Sequence, residues 1–222
     1  MPSAPTASLD LTSPDVVTDP YPYFAEERAA HPVARQEATG TWLAFDHASV
    51  SAVQRDRRMA RLWRDRSTAE RSAAYLEPFN LLHRNQMMEN EPPEHTRLRR
   101  PVARVFGRGH VERLRPRVGE LAGDLLARVD PAGFDVIRDY AEPLPVLVIA
   151  ELLGVPASYA DDLRDWSQAI VKMYEVDPSP AVVDAAVSSA ADFDGLIREL
   201  IRERRARPQA DRPADLLGDL ST

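Results

Sequence analysis

The chain has 222 residues, 44% of them hydrophobic and 28% charged, the balance of a soluble globular protein with room for one sizeable core or two small ones. A formal net charge of −7 argues against a generic nucleic-acid surface, and the absence of cysteine fits a reducing compartment and excludes disulfides, cysteine zinc sites and a thiol nucleophile. The opening MPSAPTASLD lacks the apolar core of a signal peptide and the longest apolar run, residues 146–150, is too short for a bilayer, so a cytoplasmic protein with no membrane and no nucleic-acid partner is expected.

Residues 1–19 are rich in Pro, Ser, Thr and Asp without a period and read as a flexible tail over the surface. From Pro22 the run YFAEERAAH reads as a short helix closed by His31 and Pro32. VARQEATGTWLAFDH changes period, with Val33 and Arg35 alternating, Thr39 and Gly40 turning, and residues 42–45 aromatic and apolar; this predicts a β-hairpin, the only convincing β structure. Asp46 suits the cap of a helix over HASVSAVQRD, with Val50 and Val53 inward. Residues 55–72 are arginine-rich and read as a solvated stretch pinned by Met59, Leu62 and Trp63. YLEPFNLLHRNQMM is apolar without a clean period, and irregular apolar chain of this kind lines pockets; Phe79, Leu81, Leu82, Met87 and Met88 are the candidates.

Pro92, Pro93 and Glu94 mark a helix start, because proline is tolerated in the first turn and an acid there suits the helix dipole. That helix is predicted from about Pro93 to Phe106, bent at Pro101 and broken by Gly107 and Gly109. Val111, Leu114, Val118, Leu121, Leu125 and Val129 then repeat at three and four residues, an amphipathic helix with Pro116 in an early turn or at a kink. FDVIRDYAEPLPVLVIAELLGVP predicts a short extended piece followed by a buried apolar helix over residues 145–153, stopped by Gly154 and Pro156. Ser158 opens another helix, and residues 178–180 separate it from a long one over 181–207. Asp215 suits the cap of a short last helix, and neither an internal repeat nor a domain linker interrupts residues 20–222.

The densest chemistry lies in ENEPPEHTRLRRPV, residues 89–102. His95 and Arg99 are four residues apart, so on a helix they share a face and can close on one anionic group, while Arg97, Arg100 and Arg104 project elsewhere. No Gly-rich phosphate loop, zinc-protease motif or nucleophile elbow is present. The histidines at 31, 47, 83, 95 and 110 form no pair at metal spacing.

EPPEHTRLRR closely resembles the C helix of bacterial cytochrome P-450 monooxygenases. The likeness continues through VFGRGHVERLRPRV, similar to the family's passage into its D helix, and AEPLPVLVIAELLGVP, similar to its E helix. DPYPYFAEERAAHPVAR and WLAFDHASVSAVQRD look like the A helix, the first sheet hairpin and the B helix, so the resemblance covers nearly the whole chain. It implies a mainly α fold with a small β-hairpin: a partial P-450-like domain over residues 20–222, the N-terminal part of that fold as far as the G and H helices, without the I, K and L helix regions. By position, His95 and Arg99 match the residues that hold the propionates of haem b, and Arg97, Arg100 and Arg104 the face that receives an acidic ferredoxin. Residues 79–88 correspond to the B–C loop over the substrate, and Ile170, Met173 and Tyr174, with Trp166, lie in what looks like the F-helix lid. The implied activity is a monooxygenase oxidising a small hydrophobic, secondary-metabolite-like substrate.

The chain departs from the family pattern at Glu91, where aspartate is usual, at Asn90, Pro101 and Gly107, and in having no cysteine to supply the iron's thiolate. Three accounts stay open: the N-terminal portion of an ordinary enzyme, a natural half pairing with a C-terminal half, and a haem-free helper or activator that binds a biosynthetic enzyme. In the first two, apolar faces are expected to be exposed, or covered by another chain or a homodimer partner.

Overall fold

In the computed structural model, residues 4–61, 72–106, 108–175, 177–208, 211 and 215–220 are described. The chain divides into two compact units, Met1–Ala60 and Arg61–Thr222. The division falls in the arginine-rich stretch, whose residues 62–71, with Leu62 and Trp63, lie outside the described residues.

The first unit is a small sheet with three helices. Strands β1 (Thr6–Ala7), β2 (Val33–Gln36) and β3 (Trp42–Ala44) lie in that order, β1 parallel and β3 antiparallel to β2, with Ala34 opposite Leu43. The hairpin is as expected, with Gly40 at φ +68° in its turn. The segment expected to be a tail instead adds β1 and helix α1 (Pro14–Thr18), and buries Ala7, Leu9 and Val16. A two-residue strand has no alternation to read, and its anchor is a polar side chain: buried Gln36 donates from Nε2 to the Leu9 carbonyl at 2.7 Å. Helix α2 (Tyr21–Ala30) ends at His31, and α3 (His47–Arg55) starts where Asp46 accepts from the Ser49 backbone N–H at 2.6 Å. Val50 and Val53, expected inward, are 37% and 46% exposed, because no described element of the first unit packs extensively on α3.

Helices α4 (Glu77–Arg84), α5 (Glu94–Val105), α6 (Arg108–Leu126), α7 (Pro143–Leu153), α8 (Ala160–Lys172), α9 (Pro180–Ala206) and α10 (Leu216–Leu220) build the second unit. Its spine is α9, 27 residues and about 40 Å long. Ser179 caps it through the Val182 N–H. Along the first half of α9, Val183, Ala186, Val187 and Ala190 pack with Leu76, just before α4, with Phe79 from α4 and with Met173 after α8. Along its second half, Leu196 and Leu200 pack with Ala150, Val155, Leu163 and Leu217. Leu163 and Met173 thus meet opposite ends of α9, so α8 and α9 run antiparallel.

Two segments differ from expectation. Residues 77–84 are helix, not irregular chain: Phe79, Asn80 and His83 form the buried side, a helical period carried partly by polar residues and so invisible to an apolar count. The piece expected to be extended before α7 winds into a π-helical turn, Ile137–Ala141, where the Asp135 carboxylate accepts from the Ile137 and Arg138 N–H groups at 2.9 and 3.0 Å. Helices α5 and α6 run through Pro101 and Pro116, and Leu121 and Leu125 are buried as the amphipathic pattern requires. By contrast α7 buries fully only Ala150, leaving Ile149 53% exposed, and on the neighbouring segments Leu126, Phe134, Val136 and Ile137 are exposed too.

The end of α7 is locked by charge. Gly154 has φ +81°, and a Cβ there would lie 2.0 Å from the Asp215 carboxylate. Buried Arg204 donates to the Gly154 carbonyl and to Asp215 at 2.9 Å, and Asp215 Oδ1 also accepts from the Gly218 N–H at 2.7 Å, capping α10 as expected. Among the described residues no helix is long and apolar enough to cross a membrane.

Candidate functional site

The candidate site is the start of α5 and the turn before it. Proline at 93 closes the approach, and the first-turn hydrogen bonds run from His95 N to the Glu91 carbonyl at 3.1 Å and from Arg97 N to the Pro93 carbonyl at 3.0 Å. Before it, Met87–Glu89 form a single 3-10 turn. Asn90 ties this turn down, its amide donating to the carbonyls of Arg84 at 2.9 Å and Gln86 at 2.6 Å. Asn90, a departure in the sequence, is therefore a brace for the loop.

His95 is half-buried, with Nδ1 2.9 Å from the Met87 carbonyl. Arg99 lies one turn on and is exposed, with no hydrogen bond or ion pair among the described residues. The expected pair is therefore present on one helix: an anchored imidazole and an uncommitted guanidinium. On the other face Arg97 is paired with Glu94 at 2.7 Å, while Arg100 is exposed and makes no such pair among the described residues. Arg97 and Arg100 also line an open groove with Pro92, Pro93 and Thr96. The Arg104 side chain lies outside the described residues. No group of three His, Asp or Glu among the described residues is arranged to hold a metal.

The candidate pocket residues separate into two sets. Phe79 and Met173 are fully buried core, with Leu82 and Ile170 packed against the same cluster, and Trp166 belongs to the second core. Leu81 and Met87 are half-buried, Met88 is 64% exposed and Tyr174 44%. The buried His83 ring links the sets: it stacks on Phe79 at 4.0 Å, meets Tyr174 edge-on at 5.5 Å, and has Nδ1 2.8 Å from the Phe79 carbonyl.

Sequence reading missed the acid beside the site. Glu89 is 5% exposed and forms two bonds with Arg61, Nη2 to Oε1 at 2.6 Å and Nε to Oε2 at 3.2 Å. The partners are 28 residues apart, so spacing carried no signal.

No family model matches the chain. The chain is 36% identical over 217 residues to the cytochrome P-450 monooxygenase PikC of Streptomyces venezuelae, covering 94% of this chain and 49% of that protein. It is 34% identical to the vitamin D(3) 25-hydroxylase of Pseudonocardia autotrophica, with 91% and 48% covered, and 32% identical to the 6-deoxyerythronolide B hydroxylase of Saccharopolyspora erythraea, with 93% and 52% covered. Among solved structures, the epothilone B-bound cytochrome P-450 epoK superimposes with a TM-score of 0.76 at 26% identity, over 96% of this chain and 53% of that one. The chain spans about half the length of the curated relatives it matches. Its helices, small sheet and C-helix motif accord with these likenesses, and the chain belongs to the bacterial cytochrome P-450 family, matching the N-terminal half of that fold.

Proposed function

We propose that this chain is the N-terminal portion of a soluble, cytoplasmic haem-binding monooxygenase that oxidises a small hydrophobic, secondary-metabolite-like substrate with electrons from a ferredoxin. The observation that carries the reading is the His95 and Arg99 pair: one ring held in place by the Met87 carbonyl, one guanidinium left without an ion pair among the described residues. Two cationic donors one helical turn apart fit a propionate carboxylate of haem b better than one does. When bound, haem supplies oxygen activation; this chain's residues hold its carboxylate side and shape the space over it. Leu81, Met87, Met88 and Tyr174 are candidates for substrate contact, with Phe79, Leu82, Ile170 and Met173 as the packed floor behind them. Arg97 and Arg100, with Arg104 by its place in the sequence, are the candidates for a basic face that receives an acidic redox partner.

The iron's thiolate must come from residues other than these 222, which contain no cysteine. The exposed Leu126, Phe134, Val136, Ile137 and Ile149 support a C-terminal half as the cover of the α6 to α7 region. The missing cysteine also favours a second reading, a haem-free helper bound to a biosynthetic enzyme. Titration of the chain with haemin, followed by Soret absorbance, separates the two: saturable binding weakened about tenfold by Arg99→Gln supports the haem reading. Absence of binding, both alone and with a cysteine-bearing C-terminal half, favours the helper. With that half present, reduced protein under carbon monoxide should show a thiolate Soret band.

A further inference from the structure

The turn before α5 carries an inference that rests on the reading of His95 as a carboxylate ligand. A buried carboxylate needs a partner, and Glu89 has one in the two-pronged contact with Arg61. The Arg61 backbone N–H also donates to Glu91 Oε1 at 2.9 Å, so one arginine grips both acids that flank Asn90. With the Asn90 amide pulling on the Arg84 and Gln86 carbonyls, the Met87–Glu89 turn is held from both sides.

The product of that bracing is the position of one oxygen. The Met87 carbonyl stands 2.9 Å from His95 Nδ1, and a carbonyl only accepts, so Nδ1 carries the hydrogen. The remaining nitrogen, Nε2, is then a bare lone pair in the neutral ring and a donor only in the imidazolium. A carboxylate bound at Nε2 therefore selects the imidazolium.

We propose that Glu89, clamped by Arg61, is a positioning residue for His95: it holds the Met87 carbonyl that fixes the Nδ1–H form, so that His95 and Arg99 receive a carboxylate as imidazolium and guanidinium together. The clamp does not touch the ligand; it acts through the turn.

The test is ¹⁵N NMR of the five imidazoles in the 222-residue chain, with His95→Gln assigning the resonance. The neutral wild-type ring should be the Nδ1–H tautomer. Glu89→Gln should move it to a mixed or Nε2–H population while the other four histidines stay in place, and the exchanged pair Arg61→Glu with Glu89→Arg should restore it. If Glu89→Gln does not fold, Arg61→Lys takes its place and should show a smaller displacement in the same direction. A wild-type tautomer in these folded variants overturns the proposal. Haemin titration of the same proteins separates the two layers: Glu89→Gln should weaken binding about tenfold, as loss of an outer partner does. A moved tautomer with unchanged haemin affinity leaves the positioning role standing and removes His95 from the haem reading.

Discussion

Arg204 and Arg99 are both arginines on helices of the second unit, yet Arg204 is buried among acceptors while Arg99 is exposed with no partner among the described residues. Arg204 meets Asp215, the Gly154 carbonyl and the Leu200 carbonyl, joining α9, α7 and α10. A charge can be buried only when nearly every donor is used, so this arginine is committed to the fold. Arg99 lost little solvation on folding, and its donors remain available. The same residue type is thus spent on the fold in one place and left exposed in the other, and the difference is set by what surrounds it.

The comparison is tested hardest at Gly154. A methyl there forces φ +81° on an L residue and collides with both Asp215 and Arg204. Gly154→Ala should therefore lose the cost of the left-handed conformation, about 1 to 2 kcal/mol, in addition to the contacts of the lock. Chemical denaturation should show the second unit losing its cooperative transition, and an unaltered midpoint would mean that the lock is soft. Next in size is Asp215→Ala, which leaves a buried guanidinium partly unpaired and should cost about 3 to 5 kcal/mol. Pairing it with Arg204→Met should recover part of that loss, because the orphaned charge goes as well. Third come Arg99→Gln, which should leave the denaturation midpoint where it is and act on haemin affinity alone, and His95→Gln, which should weaken haemin binding and lower the midpoint slightly through the lost bond to the Met87 carbonyl. A large stability loss on removing Arg99 would place it with Arg204 and erase the contrast.

What the sequence made legible follows the same division. The candidate site on α5 was legible because its residues are close in sequence: two prolines, an acid, and His95 four places from Arg99. The hairpin turn, the Asp46 and Asp215 caps and the α6 stripe are local in the same sense, and the structure has them. Features made by residues far apart were illegible. Arg61 with Glu89, Arg204 with Asp215 and Gly154, and β1 beside β2 depend on contacts that only the folded chain creates. Helix α4 was missed for another reason: its buried side includes Asn80 and His83, so the period hides from a hydrophobicity pattern. Val50 and Val53 show the converse, a readable period whose inward face stays exposed.

The smallest effect belongs to the Asp46 cap, where the contrast can be repeated with one residue type. Asp46 and Asp215 each accept from an N–H three residues on, at 2.6 and 2.7 Å, but Asp215 also carries a buried ion pair and Asp46 has none among the described residues. The Ser49 backbone N–H holds the Asp46 carboxyl below the usual carboxylate range, against a smaller opposing push from desolvation. Its folded pKa is thus lower than its unfolded one, so the charged cap contributes fully above the unfolded value, about 3.9, and that contribution is lost as pH falls through the folded value. Asp46→Asn keeps an acceptor for Ser49 but loses the charge, so its unfolding midpoint should lie slightly below wild type at neutral pH and converge on it under acid. A gap that stays constant down to strongly acidic pH would show that the hydrogen-bond geometry, not the charge, does the capping at Asp46.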